Sequence, residues 1–172
     1  NLIVAWRITQ VATFSDGEEL GNTDSTTSQH KQVILKLNGN TGDLLWKTYT
    51  GYDPDLNGQW AGGDNEILIK NDGTIISLVN EFNWNLDNTV KILEVNSSDG
   101  STNLVGEVPF TAHTYDIEID THNNIYMVGL DRRTINGNWV YAGVLTKVDS
   151  SYNQAWEAHM MPSEGLSLIH IW

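Results

Sequence analysis

Apolar residues recur along this chain in short runs that alternate with, or give way to, polar clusters. VILKL from Val33, EILIK from Glu66, TIISLV from Thr74, KILEV from Lys91, DIEID from Asp116, NIYMVG from Asn124 and GVLTKV from Gly143 all read this way. Runs of about 4–8 residues rich in Ile and Val, bounded by Asn, Asp and Gly, predict β-strands. The turn clusters between them, Asn71-Asp72-Gly73 and Thr121-His122-Asn123-Asn124, suit tight hairpins because Asn, Asp and Gly tolerate positive φ. No segment carries a 3.6-residue apolar period, so the expected class is all-β. The polar, glycine-punctuated stretch 15–29 reads as loop.

The strands recur in order. Residues 43–49 (DLLWKTY), 101–108 (STNLVGEV) and 154–159 (QAWEAH) each follow a strand-like run that ends in a turn. Trp46 and Trp156 are separated by two periods of about 55 residues, a spacing that predicts propeller-type repeats. Naming the strands of a unit A to D, residues 1–7 align with strand B, so the first unit enters in mid-blade. We expect a partial β-propeller of just under three four-stranded antiparallel blades over residues 1–165, at 1–50, 65–110 and 114–160. Closed propellers have about 4–8 blades, and the chain does not start with Met, so this reading is of an internal fragment. Residues 166–171 (LSLIHI) resemble the translation of a transposase adapter used in sequencing libraries. Residues 166–172 therefore read as a non-native tail and carry no functional argument.

Charge and composition then exclude several functions. Lys and Arg number 9 against 22 Asp and Glu, a net charge of −13. Such a surface repels phosphate backbones, so nucleic acid is not an expected partner. No apolar run is long enough to span a bilayer. The absence of Cys removes disulfides, thiolate-bound zinc and thiol catalysis. Polar, Asn- and Thr-rich hairpin loops favour an extracellular or cell-surface location.

Two segments carry a family resemblance. Leu37-Asn38-Gly39-Asn40-Thr41-Gly42-Asp43-Leu44-Leu45-Trp46 resembles the tryptophan-docking motif of quinoprotein-like, PQQ-type propellers. In that motif a Thr-Gly turn precedes a Trp that packs between blades. Residues 116–129 (DIEIDTHNNIYMVG) are similar to bacterial seven-bladed propeller repeats. In the second unit Asp99-Gly100 replaces Thr-Gly and Leu104 stands near the Trp position; the third unit lacks Thr-Gly. The fold hosts enzymes, receptors and adhesins alike, so the resemblance implies architecture rather than activity.

The sharpest chemical motif is the stretch from Asp53 to Asp64, which follows the D-x-D-x-[DN]-G calcium loop up to its closing position. Asp53, Asp55 and Asn57 would supply side-chain oxygens, Gln59 a backbone carbonyl and Asp64 the closing carboxylate, with Gly58 at the sharp turn. The competing reading is a solvated acidic connection between blades. Asp116, Glu118 and Asp120 share one face of a strand and either line a channel or face solvent. Trp46 and Trp156 are expected to pack between blades. Trp60, Trp84 and Trp139 sit at loop edges, where an exposed indole could stack on sugar rings or fold back over the core. His residues are scattered without zinc-ligand spacing, and no nucleophile elbow or phosphate loop is present.

These features point to a non-catalytic binding or adhesion module of a larger secreted bacterial protein, with calcium as its structural ion and a protein or carbohydrate as its ligand. The alternative is a piece of a propeller enzyme, a quinoprotein-like dehydrogenase or a glycoside hydrolase or lyase, with its catalytic residues elsewhere.

Overall fold

The computed structural model describes residues 1–8, 12–14, 17, 19–20, 31–50, 60–61, 67–82, 89–109, 112–135 and 138–160. Within these residues the chain is all-β. The first sheet has the order β1 (Leu2–Ile8), β4 (Lys31–Leu37), β5 (Leu44–Thr50). Between β1 and β4 lies a small hairpin, β2 (Ala12–Thr13) and β3 (Glu19–Leu20). The stretch 15–29, read above as loop, thus contributes Glu19 and Leu20 to a paired strand. The second sheet runs β10 (Thr102–Pro109), β9 (Thr89–Val95), β8 (Ile75–Phe82), and both β6 (Trp60–Ala61) and β7 (Ile67–Ile69) pair with β8. The third is β11 (Ala112–Ile119), β12 (Ile125–Ile135), β13 (Asn138–Val148), β14 (Gln154–Met160). Every pairing is antiparallel. The three sheets are the blades, and the first holds strands B, C and D alone among the described residues.

Apolar runs rather than strict alternation mark the inner strands because both sheet faces are covered. In β4, Val33 and Leu35 point to one side and pack with Phe14, Leu37 and Leu44. Ile34 points to the other and joins Trp46, Ile75 and Val95, binding the first blade to the second. A larger cluster binds the second blade to the third. It takes Leu68, Ile76, Leu78, Val90, Ile92 and Val108 from one, and Ile117, Ile125, Met127, Val144 and Val148 from the other. Each fully buried aliphatic side chain contributes about 1.5–3 kcal/mol, so the two inter-blade seams hold most of the core.

The C-to-D turns repeat with one exchange. Gly42 N–H donates to the Asn38 carbonyl at 2.8 Å and Gly100 N–H to the Asn96 carbonyl at 2.9 Å. The Asn38 and Asn96 side-chain oxygens each accept a backbone N–H two residues on, at 2.9 Å. Both turns need a left-handed residue, and glycine supplies it at φ +77° and +76°. The third turn is one residue shorter. Tyr152 N–H donates to the Asp149 carbonyl at 2.9 Å, and Tyr152 itself takes φ +66°.

Each D strand carries one bulged residue, and its position decides which face the following side chains take. In β5 the extra residue is Leu45, so Trp46 lies opposite Lys36. In β14 it is Ala155, so Trp156 lies opposite Lys147. In β10 the bulge comes later, at Val105, and Leu104 lies opposite Leu93. Leu104 therefore faces the other way from Trp46 and is 52% exposed. It is not the docking residue of the second blade; Val105 is the one packed against the seam.

Candidate functional site

In the second and third blades the A-to-B and C-to-D turns lie at one end of the sheet, and the polar side chains that sequence reasoning singled out least are gathered there. Trp46 is 9% exposed and donates its indole N–H to the Ser97 carbonyl at 3.1 Å. The Lys36 ammonium donates to the same carbonyl. A Cβ on Gly100 would sit 2.8 Å from the Trp46 ring, so the indole lies flush on a turn that only glycine leaves open.

At the next seam the sizes are exchanged. The large residue is Tyr152 in the turn, and the small one is Gly106 on β10, where a Cβ would come 2.7 Å from that of Tyr152. The Tyr152 hydroxyl donates to the Glu94 carboxylate. Lys70 donates to the Tyr152 oxygen at 3.2 Å and to Glu94 at 3.4 Å, with its ammonium 5.3 Å from the Tyr152 ring centre. Burial pulls the Lys70 ammonium toward neutrality, but its bond to Tyr152 and the Glu94 charge outweigh this and hold its pKa above the ordinary lysine value. Burial, reinforced by the bond to Glu94, pushes the Tyr152 phenol up as well. Glu94 occupies the C-strand position of Lys36 and Lys147, and that break in the pattern was the sequence signal for this triad.

Beside these groups a cleft of about 370 Å³ opens at the turn end of the second blade, lined among others by Asp72, Glu94, Asn96, Ser97, Thr102 and Asn103. It offers carboxylate and amide oxygens, hydroxyls and amide donors on a rigid frame. Backbone and hydroxyl donation from Thr74 holds the Asp72 carboxyl below the usual carboxylate range, so it is anionic at neutral pH. Such a lining orients a hydroxyl-rich ligand by hydrogen bonds.

The other seam feature is buried. Thr50 and Ser77 each donate to the Gln32 side-chain oxygen at 2.7 Å, and the two hydroxyls stand 3.0 Å apart. All three are at most 2% exposed. Gln32 was legible only as a polar residue just ahead of the apolar run from Val33.

Of the remaining candidates, those among the described residues do not form one site. Asp120 does not continue a row of carboxylates with Asp116 and Glu118. It accepts from Asn124 Nδ2 at 2.7 Å, from the Asn124 and His122 backbone N–H groups at 2.9 and 2.8 Å, and from the Tyr126 hydroxyl at 3.1 Å. Those donors, Asn124 foremost, hold its carboxyl far below the usual range. Asp116 and Glu118 are exposed. Asp53, Asp55, Asn57, Gln59 and Asp64 lie outside the described residues, as do Trp84 and the tail 166–172. Of the same connection, Trp60 and Ala61 pair with Phe82 and Glu81 of β8. Trp139 pairs with Thr134 along the β12–β13 hairpin. Trp156 is 42% exposed, with its ring centre 6.3 Å from that of Tyr126. Among the described residues no set of three or more His, Asp or Glu is placed to hold a metal ion, and no helix is long and apolar enough to cross a membrane.

No protein-family model matches the chain, and no curated protein matches it. The reading of its function therefore rests on this geometry.

Proposed function

We propose that this chain is a non-catalytic binding module of a larger secreted bacterial protein, holding a carbohydrate-type ligand at the turn end of its second blade. The observation that carries the reading is the cleft of about 370 Å³ beside Glu94, Thr102 and Asn103, whose lining is hydroxyl, amide and carboxylate. The charged groups nearest it are engaged in holding the frame. Lys70, Glu94 and Tyr152 tie two blades together, and Asp72 closes its own turn. That use favours a fixed recognition surface over acid–base chemistry. Calcium in the connection through Asp53, Asp55, Asn57, Gln59 and Asp64 belongs to the same reading, as a strut between the first two blades.

The test is saturation-transfer NMR of the 172-residue chain with a panel of neutral oligosaccharides. Binding by at least one of them, weakened about tenfold by Asn103→Ala and Thr102→Ala together, is the expected result. Loss of neither signal nor affinity in that double variant removes the cleft from the proposal. Turnover of a sugar in the same tube would replace the binding reading with an enzymatic one. Calcium is checked separately by calorimetry after chelation. Addition of calcium should raise the melting temperature more than magnesium does, and Asp55→Ala should abolish the gain while Asp16→Ala keeps it.

A further inference from the structure

The cleft of the second blade is lopsided in charge. Among the described residues its ionisable lining groups are both carboxylates, Asp72 and Glu94, and no Lys, Arg or His lines it. The two are not equivalent. Glu94 is matched: Lys70 donates to it at 3.4 Å, and the Tyr152 hydroxyl bonds it from the third blade. Asp72 is exposed, and its Oδ1 accepts the Thr74 backbone N–H at 2.9 Å. Among the described residues it has no cation within ion-pair distance.

Register sets what surrounds that charge. Asn103 stands directly opposite Glu94 across the β9–β10 pair, with Thr102 opposite Val95. Both are exposed and line the cleft with Asp72. The lining thus joins an unmatched negative charge to an amide and a hydroxyl that both donate and accept. Sugar hydroxyls are read by the amide and hydroxyl. A protonated amine is also read by the carboxylate, through a charge-assisted hydrogen bond, and an anionic sugar is repelled by it.

Resting on the carbohydrate reading above, we infer that the cleft selects amino sugars. The ligand's ammonium sits on the Asp72 carboxylate, and its hydroxyls bond Asn103 and Thr102. N-acetylation removes the charge that the site recognises, and a uronic acid reverses it. The hydroxyl and amide groups beside the carboxylate favour a sugar over a lysine side chain, which brings an ammonium and no hydroxyls.

The experiment is an NMR titration of the 172-residue chain with trimers of glucosamine, N-acetylglucosamine, glucose and galacturonate. It is run at mildly acid pH, where the sugar amines are protonated and Asp72, its pKa lowered by the Thr74 bonds, stays ionised. The glucosamine trimer should bind about tenfold tighter than either neutral trimer, and galacturonate should bind weakest. Asp72→Asn keeps an oxygen to cap the turn and removes the charge, so it should level glucosamine with the neutral trimers. Asp99→Asn removes the same charge from a turn position outside the cleft, where Oδ1 likewise accepts a backbone N–H, and should keep the preference. Equal affinities in the wild type overturn the inference while carbohydrate binding stands. So does a preference that survives Asp72→Asn or that both variants erase, and so does a lysine trimer that binds as tightly as the glucosamine trimer. If no sugar trimer binds, the carbohydrate reading falls and the amino-sugar assignment falls with it.

Discussion

The seam between the first and second blades and the seam between the second and third use the same backbone positions with different side chains. Gln32, Thr50 and Ser77 form a buried polar triad in one. Register puts Val90, Val108 and Met127 at those three positions in the other, all within the large apolar cluster. At the turn end, Trp46 over Gly100 in the first seam gives way to Tyr152 over Gly106 in the second, with Gly106, opposite Ile92, at the register position of Thr48 rather than of Trp46. What is preserved is the complementarity of each pair, not the residue at each site. A repeat protein can exchange a polar triad for an apolar one because either fills the volume and leaves no buried group unsatisfied.

The largest effect should come from removing the plug of the first seam. Trp46 is nearly buried, bonded through its indole N–H and fitted to a glycine. Trp46→Ala should cost about 3–5 kcal/mol in a urea melt. Leu104→Ala, at the position the repeat alignment makes equivalent, should stay within about 0.5 kcal/mol because that side chain is half exposed and faces the other way. Equal losses in the two variants would mean that the bulge at Val105 does not set the face of β10.

The strand order and the turns were legible in the sequence, and the bulges were not. Asn, Asp and Gly at residues 38–42, 71–73 and 96–100 announce turns through their tolerance of positive φ, and the aliphatic runs between them announce strands covered on both faces. A bulge leaves no such mark. Leu45, Val105 and Ala155 differ in size and polarity, yet each shifts the register by one residue and turns its neighbours over. That is why Leu104 aligned with Trp46 and yet points away. Tyr152 was hidden for a related reason: glycine is the expected residue at a left-handed turn position, and a tyrosine there is held by its contacts to Glu94, Lys70 and Gly106 rather than by local preference. The polar cleft was legible only as scattered turn residues, because its walls come from two turns and a strand end that meet only once the sheet is folded.

An exchange of chemistry between the seams tests whether complementarity is the rule. Gly106→Ala should cost about 1–3 kcal/mol by driving a methyl into Tyr152. Pairing it with Tyr152→Gly should recover the part of that loss due to the clash, though it gives up the bonds to Glu94 and Lys70. In the first seam, Ser77→Ala should cost about 1–3 kcal/mol, since it strips one donor from a buried amide oxygen. Converting the triad wholesale, Gln32→Val with Thr50→Val and Ser77→Met, imports the pattern of the second seam and should cost less than Ser77→Ala alone. A triple variant worse than the single one would show that the triad specifies the seam rather than filling it.

The smallest expected effect separates the seams by pH. Lys70 and Tyr152 both have pKa values raised above their ordinary ones. A group raised on folding contributes stability that is complete below its unfolded pKa, about 10 for both, and is lost as pH rises through the folded value. The second seam should therefore weaken above about pH 10, while Gln32, Thr50 and Ser77 carry no group that titrates there. Urea melts at stepped pH from neutrality to about 11 should show a falling alkaline limb in the wild type. Lys70→Met with Tyr152→Phe should start less stable at neutral pH and fall less steeply above pH 10. Parallel curves for the wild type and this double variant would place the alkaline loss outside the second seam. The contrast between a titrating seam and a neutral one would then fail at the one pair of residues that gives it an electrostatic reading.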